Sequence, residues 1–303
     1  MPRDRIRYNG AQTAAEGNRA MTNASVTVGL LHPGEMGVTV GATVAGGGAR
    51  VLWASEGRSG ATRSRALEAG LEDAGSLASV VRQSRVILSV VPPHGALELA
   101  RTVAALGFRG LYVDGNAVAP ETAREIGRVV EATGARFVDG GIIGRAAPPR
   151  ATTRFYLSGP GAPEIAVLFG AGPMDAMVLD APAGAASALK MAYAGWTKGS
   201  AALLAAIRAF AMAEDVDSAL LAEWKISQPD VPARSERAFA DNARKAWRFV
   251  GEMEEIARSL AGAGLPAGFH DAAREIYERL SDYKDTKAAP TVEEAARKLR
   301  RSP

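Results

Sequence analysis

Between Ala183 and Lys198 an Ala-rich run carries Ser187, Lys190, Tyr193 and Thr197 at three- and four-residue steps. That spacing places them on one face of an α-helix, with Ala194 as the alternative to Tyr193. Ala186, Leu189 and Met191 surround the lysine. Burial among such neighbours disfavours the ammonium form and brings a lysine toward the range useful for general acid–base work. The competing reading of Lys190 is a solvated surface lysine.

A second group has the types and spacing to hold a phosphate. Gly34 and Gly37 take the second and third positions of a Gly-x-Gly-x-x-Gly turn. His32 stands at the first, and Pro33, Glu35 and Met36 fill the rest. Such a turn between a strand and a helix brings backbone close to a dinucleotide pyrophosphate at the helix N-terminus. By itself a two-glycine match also describes an ordinary strand–helix turn. A second strand ends near Ser55, 21 residues past Gly34. There Ser55, Arg58 and Ser59 suit a 2′-phosphate, which favours NADP(H). An inward-pointing Glu56 would reverse the preference to NAD(H), and Arg58 also reads as a solvated loop arginine. Val91-Pro92 and Asn116 follow two later strands, where cofactor contacts belong. Asn116 is expected at the nicotinamide end, although an Asn beside Gly115 also suits a plain turn.

These residues need elements to position them. Strand-like runs recur at 26–31, 50–54, 86–91, 111–114, 136–139 and 155–158, with helix-like stretches between them. Such alternation predicts βαβ units in a Rossmann-type, doubly wound parallel sheet of the α/β class. After Asp180 the texture becomes helical, opening on one long helix over 183–213. Phe239, Ala243, Trp247, Val250, Met253, Ile256 and Leu260 then mark an amphipathic helix. The expected organisation is a disordered extension over 1–24, a dinucleotide-binding domain over 25–181 and an all-α domain over 182–303. A terminal helix near 292–299 is expected to be loosely held.

Composition narrows the chemistry further. The 303 residues are 47% hydrophobic and 23% charged, with no Cys and a net charge of +3. Without Cys there is no disulfide, thiol catalysis or Cys-ligated metal. Four arginines against Asp4 and Glu16 in the first twenty residues supply most of the charge excess. Elsewhere both signs interleave, which argues against a nucleic-acid partner. No uncharged stretch is long enough to cross a bilayer. His32, His94 and His270 show no metal-ligand spacing. The expectation is a cytoplasmic protein with a small-molecule substrate and no metal.

Gly34-Glu35-Met36-Gly37, Asp139-Gly140-Gly141 and the helix from Gly184 to Lys190 together resemble the β-hydroxyacid dehydrogenases. That family includes 3-hydroxyisobutyrate and 6-phosphogluconate dehydrogenases, and the resemblance runs from about Val26 to Leu280. It implies a Rossmann domain joined by a long helix to an all-α domain, usually in a homodimer or homotetramer. It also implies that Lys190 is the acid–base group for an alcohol beside a carboxylate-bearing carbon. Three departures bear on the substrate. A Ser-Gly-Gly carboxylate site is replaced by Ile143-Gly144-Arg145, where the Arg145 guanidinium can bind an anion or lie exposed. Tyr193 stands in place of an Asn, leaving Tyr193, Thr197 and Arg145 to orient the substrate. A later Lys–Asp pair finds no counterpart within 249–254. The alternatives are imine reduction, which Lys190 disfavours, and a catalytically silent NADP(H)-binding sensor or scaffold.

Overall fold

The computed structural model describes residues 26–146, 152–240 and 242–300, so the extension expected over 1–24 lies outside the described residues. The first strand β1 (Thr27–Leu30) leads into α1 (Glu35–Gly46), β2 (Arg50–Trp53), α2 (Gly60–Glu68), β3 (Glu72–Asp73) and α3 (Leu77–Gln83). There follow β4 (Val86–Ser89), α4 (Ala96–Ala105), β5 (Leu111–Asp114), α5 (Pro120–Glu131) and β6 (Arg136–Ile143). β7 (Thr153–Ser158), the short α6 (Ala162–Ala166) and β8 (Met174–Val178) complete an eight-stranded sheet in the order 3-2-1-4-5-6-7-8.

The first six strands are parallel, as expected, but β7 runs antiparallel to β6 and β8 runs parallel to β7. β4 and β5 are buried along their whole length. They carry continuous rather than alternating apolar runs because helices cover both faces of the sheet. Val40 and Val44 of α1 pack on one face with Ile165, Leu168 and Phe169. Val80, Val103, Ile126 and Val130 of α3, α4 and α5 pack on the other.

The long helix α7 (Ala185–Ala213) opens the helical half. It is followed by α8 (Asp217–Ser227), α9 (Val231–Ala240), α10 (Ala246–Gly262), α11 (Gly268–Leu280) and α12 (Val292–Leu299). Met191 and Ala202 of α7 enter a core with Phe239, Phe249, Met253, Ile256 and Tyr277. Phe249 and Tyr277 meet edge to face, centroids 5.1 Å apart. The terminal helix departs from expectation. Ala295, Ala296 and Leu299 are buried in this core, and Thr291 with Glu294 forms a capping box at its start. An apolar face and a satisfied N-terminus fix the helix despite its charged surface.

The two halves meet where α7 crosses β6. Gly184 begins α7 at φ +101°, with no capping side chain of its own. The cap comes from β6 instead. Asp139 Oδ2 accepts from the Gly184 and Ser187 backbone amides at 2.9 and 3.0 Å and from the Ser158 hydroxyl at 2.9 Å. Its Oδ1 accepts from the Ser187 hydroxyl at 2.5 Å. Two residues on, Gly141 lets the helix lie against the strand: a Cβ there would sit 2.5 Å from the Ala186 carbonyl oxygen and 3.0 Å from Lys190 Cβ.

Gly141→Ala is therefore expected to cost about 1–3 kcal/mol through overpacking, read as a lower urea midpoint. Gly251→Ala, in the middle of α10 with open space around it, should raise stability by about 0.5–1 kcal/mol. Equal midpoints for Gly141→Ala and wild type would refute the close contact between β6 and α7.

Candidate active site

The residues expected to bind cofactor or substrate lie beyond a strand's carboxyl end, at the start of α1 or on α7. His32, Ser55, Val91, Asn116 and Arg145 follow β1, β2, β4, β5 and β6. The strand order reverses between β1 and β4, and a doubly wound sheet binds its ligand in that crevice.

On the β1 side, Gly34 is the N-cap of α1 and has no side chain to satisfy the first amides. Those free N–H groups and the helix dipole suit a phosphate. Gly37 is tied to the turn by sterics, since a Cβ there would lie 2.0 Å from the His32 carbonyl oxygen. The Met36 side chain turns into the core, so only its backbone is left to the turn. Glu35 pairs with Arg248 of α10 at 3.2 Å.

Arg58 and Arg65 stand beside this turn, with Arg65 Nε 3.5 Å from the Pro33 carbonyl oxygen. Neither makes an ion pair with a carboxylate among the described residues. Ser59 caps α2 by accepting from the Thr62 amide at 3.3 Å. Buried Ser55 places its amide on Asp73 and its carbonyl under Arg63. An uncapped helix start, a glycine cradle and two unneutralised guanidiniums fit a phosphorylated dinucleotide.

Asn116 departs from its expected role. Its Oδ1 accepts from the Val91 amide at 2.6 Å, while its Nδ2 donates to Ser89 Oγ at 3.1 Å and to Asp114 Oδ1. The amide is consumed in holding the loop of Val91 and Pro92 and has no donor left for a cofactor. Behind it, burial first and the Asp139 charge second push the Asp114 carboxyl up to about 8.

A cavity of about 490 Å³ is lined by Arg145, Lys190, Tyr193, Ala194, Thr197 and Lys198, among others. One cavity thus gathers Lys190 and the three residues proposed to orient a substrate. Gly144 turns the chain at φ +141° where a Cβ would strike Thr153, and the Arg145 amide and carbonyl both bond the Thr153 hydroxyl. The Arg145 guanidinium and the Lys190 ammonium make no hydrogen bond among the described residues. The Thr197 hydroxyl donates to the Tyr193 carbonyl at 3.0 Å, so it offers a ligand an acceptor.

Desolvation brings Lys190 down to about 8, against the pull of Glu252 and with the help of Lys198 and Arg248. Glu252 and Lys198 form a pair that the sequence reading does not single out, although 249–254 itself holds no Lys–Asp pair, as that reading states. Glu252 of α10 pairs with Lys198 Nζ on α7, 54 residues away in sequence. Lys198 also lies 4.7 Å from the Phe249 ring centroid, and Tyr277 OH donates to its carbonyl at 2.8 Å. Burial opposes the Glu252 charge, but Lys198, Lys190 and Arg248 outweigh it and hold the carboxyl below its ordinary range. The signal was present as Arg248, Glu252 and Glu255 at helical spacing, indistinguishable from a solvated face.

Comparison with known proteins agrees with this geometry. Residues 27–164 match the NAD binding domain of 6-phosphogluconate dehydrogenase, and residues 211–280 match a domain of unknown function (DUF1932). The chain is built like a β-hydroxyacid dehydrogenase. A structure described as a conserved protein of unknown function with similarity to 3-hydroxyacid dehydrogenases is 29% identical. The alignment covers 86% of this chain and 98% of that one at a TM-score of 0.66. The 3-hydroxyisobutyrate dehydrogenase of Mycobacterium tuberculosis shares the fold at 19% identity, with 91% and 99% covered and a TM-score of 0.65. A reductive aminase from Aspergillus terreus in complex with NADPH shares it at 17%, with 91% and 99% covered and a TM-score of 0.52. An uncharacterised 28.5 kDa protein of Methanothermus fervidus is 32% identical over 151 residues. That match spans 49% of this chain and 57% of the relative. No helix among the described residues is long and apolar enough to cross a membrane.

The raised Asp114 gives a stability prediction with a definite sign. An unfolded aspartate ionises near about 3.9. Between there and about 8 the folded chain keeps a proton that the unfolded chain loses. Stability therefore falls as pH rises across that window. Asp114→Asn removes the loss, so its Tm relative to wild type should climb from pH 5 to pH 9. A pH-independent difference would refute the raised carboxyl.

Proposed function

We propose that this chain is an NADP(H)-dependent dehydrogenase or reductase acting on a small hydroxy acid and its carbonyl counterpart. The carrying observation is Lys190, partly buried in a cavity that also holds Arg145, with neither side chain hydrogen-bonded to a partner among the described residues. Bound nicotinamide supplies the hydride acceptor or donor. Lys190 Nζ, neutral above about 8, takes the hydroxyl proton during oxidation and returns it during reduction. Arg145 binds the substrate carboxylate with its guanidinium fork, and Tyr193 and Thr197 orient the hydroxyl. Glu252 pairs with Lys198, which lines the same cavity, so neither that ammonium nor that carboxylate is left without a counter-charge. Arg58, Arg65 and Ser59 support the preference for NADP(H) over NAD(H).

Turnover should be sought with a panel of hydroxy acids, other alcohols, aldehydes and imines, following cofactor absorbance. Lys190→Ala is expected to lose about 10²–10⁴ in kcat while cofactor affinity is kept. In wild type, kcat/KM for oxidation should rise with pH and level off above about 8. Undiminished turnover in Lys190→Ala would remove the lysine from the mechanism. Turnover of imines alone would favour C=N reduction, and a silent panel with intact cofactor binding would favour a sensor.

The same helix supports a homodimer. Tyr193, Trp196, Leu203, Ile207 and Phe210 stand 37–67% exposed along α7, with Ser200 completing an alternating three-and-four spacing. That spacing forms a continuous apolar seam, the pattern by which two helices pack against each other. Because Tyr193 also lines the cavity, a second copy seated there would border the substrate. Light scattering should give a dimer or a tetramer built from it, and Trp196→Asp with Phe210→Asp should give a folded monomer. A monomeric wild type would overturn the seam.

A further inference from the structure

His32 occupies the first glycine position of the phosphate-binding turn and keeps a glycine's backbone there, at φ +147°. A side chain in that region strains the backbone, so its surroundings must hold it. Its Nδ1 lies 3.1 Å from an Arg58 guanidinium nitrogen. Arginine only donates, so Nδ1 accepts and the neutral ring carries its proton on Nε2. The other end of the ring faces the turn: a Cβ built on Gly34 would be 3.2 Å from His32 Nε2. The imidazole thus bridges the β2–α2 arginines and the start of α1.

The charges around the ring are almost all of one sign. Burial first, then Arg58 of the β2–α2 loop and Arg65 of α2, hold the imidazole below its ordinary range. Glu35 of α1 is taken by Arg248 of α10. Glu56, in the same loop as Arg58, makes no ion pair among the described residues. Two guanidiniums and an imidazole therefore converge without an anion between them.

We propose that His32 is a proton-linked member of the phosphate pocket. A phosphomonoester dianion between Arg58 and Arg65 takes over the Arg58 hydrogen bond that the His32 lone pair now accepts. The freed Nδ1 gains a proton, and the imidazolium becomes a third cationic donor to the phosphate. The ring rests neutral in the free chain, and phosphate binding takes up a proton from solvent. This rests on the NADP(H) reading of the site, because only that cofactor carries the 2′-phosphate.

Proton uptake makes NADPH binding weaken as pH rises through the ring's titration, by up to about tenfold per pH unit. The phosphate's own second ionisation, near about 6, acts in the opposite sense by strengthening the dianion as pH rises. His32→Gly separates the two, and its backbone geometry suits glycine. NADPH and NADH should be titrated calorimetrically into wild type and His32→Gly. The titrations should run between pH 6 and 8 in two buffers of different ionisation enthalpy.

Wild type should take up more protons with NADPH than His32→Gly, whose buffer-dependent heat reports only the phosphate's own ionisation, and neither protein should show buffer-dependent heat with NADH. NADPH affinity should also fall with pH in wild type relative to the variant. NADPH binding with the same proton uptake and pH slope in both proteins would overturn the role of His32 alone. Equal affinity for NADH and NADPH would overturn the phosphate pocket. Failure of both cofactors to bind would overturn the functional reading and this inference with it.

Discussion

The Asp139 carboxylate is the interaction on which the rest of the architecture depends. It lies on β6, fully buried, and accepts from two amides at the start of α7 and from two hydroxyls. A carboxylate at a helix N-terminus satisfies donors the helix cannot and aligns with its dipole. Charge-assisted bonds of this kind are about twice as strong as neutral ones. The position follows from the chemistry: α7 starts where the carboxylate is, and Lys190 then falls one turn and a half along it, opposite Gly141. Without a Cβ on Gly141, the helix approaches until the Ala186 carbonyl is in contact with the strand. Asp139 sets the register of the lysine, and Gly141 sets its depth.

Depth decides the chemistry of that lysine. Partial burial alone would drive Lys190 toward neutrality, and nearby Lys198 and Arg248 push the same way. Glu252 restrains that fall. It is itself held ionised by the lysines and Arg248 around it. The result is a lysine that crosses between its two forms at about 8, which suits the two-way proton transfer proposed for it. A lysine with no carboxylate nearby would be neutral too early to return a proton. One fully paired would keep its proton too tightly to act as a base.

The sequence made local periodicity legible and cross-chain pairing illegible. The strands with glycine-bearing ends, the long helix and the cavity face of Lys190, Tyr193 and Thr197 follow from spacing within one segment. Asp139 carried a motif, but nothing along the chain shows that its oxygens would meet Gly184 and Ser187. Ser187 was read on the same stripe as Lys190, yet its hydroxyl is spent on that anchor. Asn116 looked like a cofactor contact because it follows a strand, whereas its amide holds the neighbouring loop. The reversal of β7 was equally hidden, since apolar runs in parallel and antiparallel strands look alike over so few residues.

The charged face of α10 shows how such pairings divide their work. Arg248, Glu252 and Glu255 lie at successive helical steps and reach three different elements. Glu255 is buried and accepts from the Ala119 amide at 2.6 Å, capping the start of α5 across the domain boundary. Glu252 reaches Lys198 of α7 in a setting nearly as dry. Arg248 reaches Glu35 at the phosphate turn, with 45% and 71% of the two side chains exposed. An exposed pair contributes only about 0–1 kcal/mol, while breaking a buried pair costs about 3–5 kcal/mol. The two drier contacts therefore hold α10 against α5 and α7 more firmly than the exposed Arg248–Glu35 pair holds it against α1. The helical half is thus held firmly beside Lys190 and weakly at the start of α1.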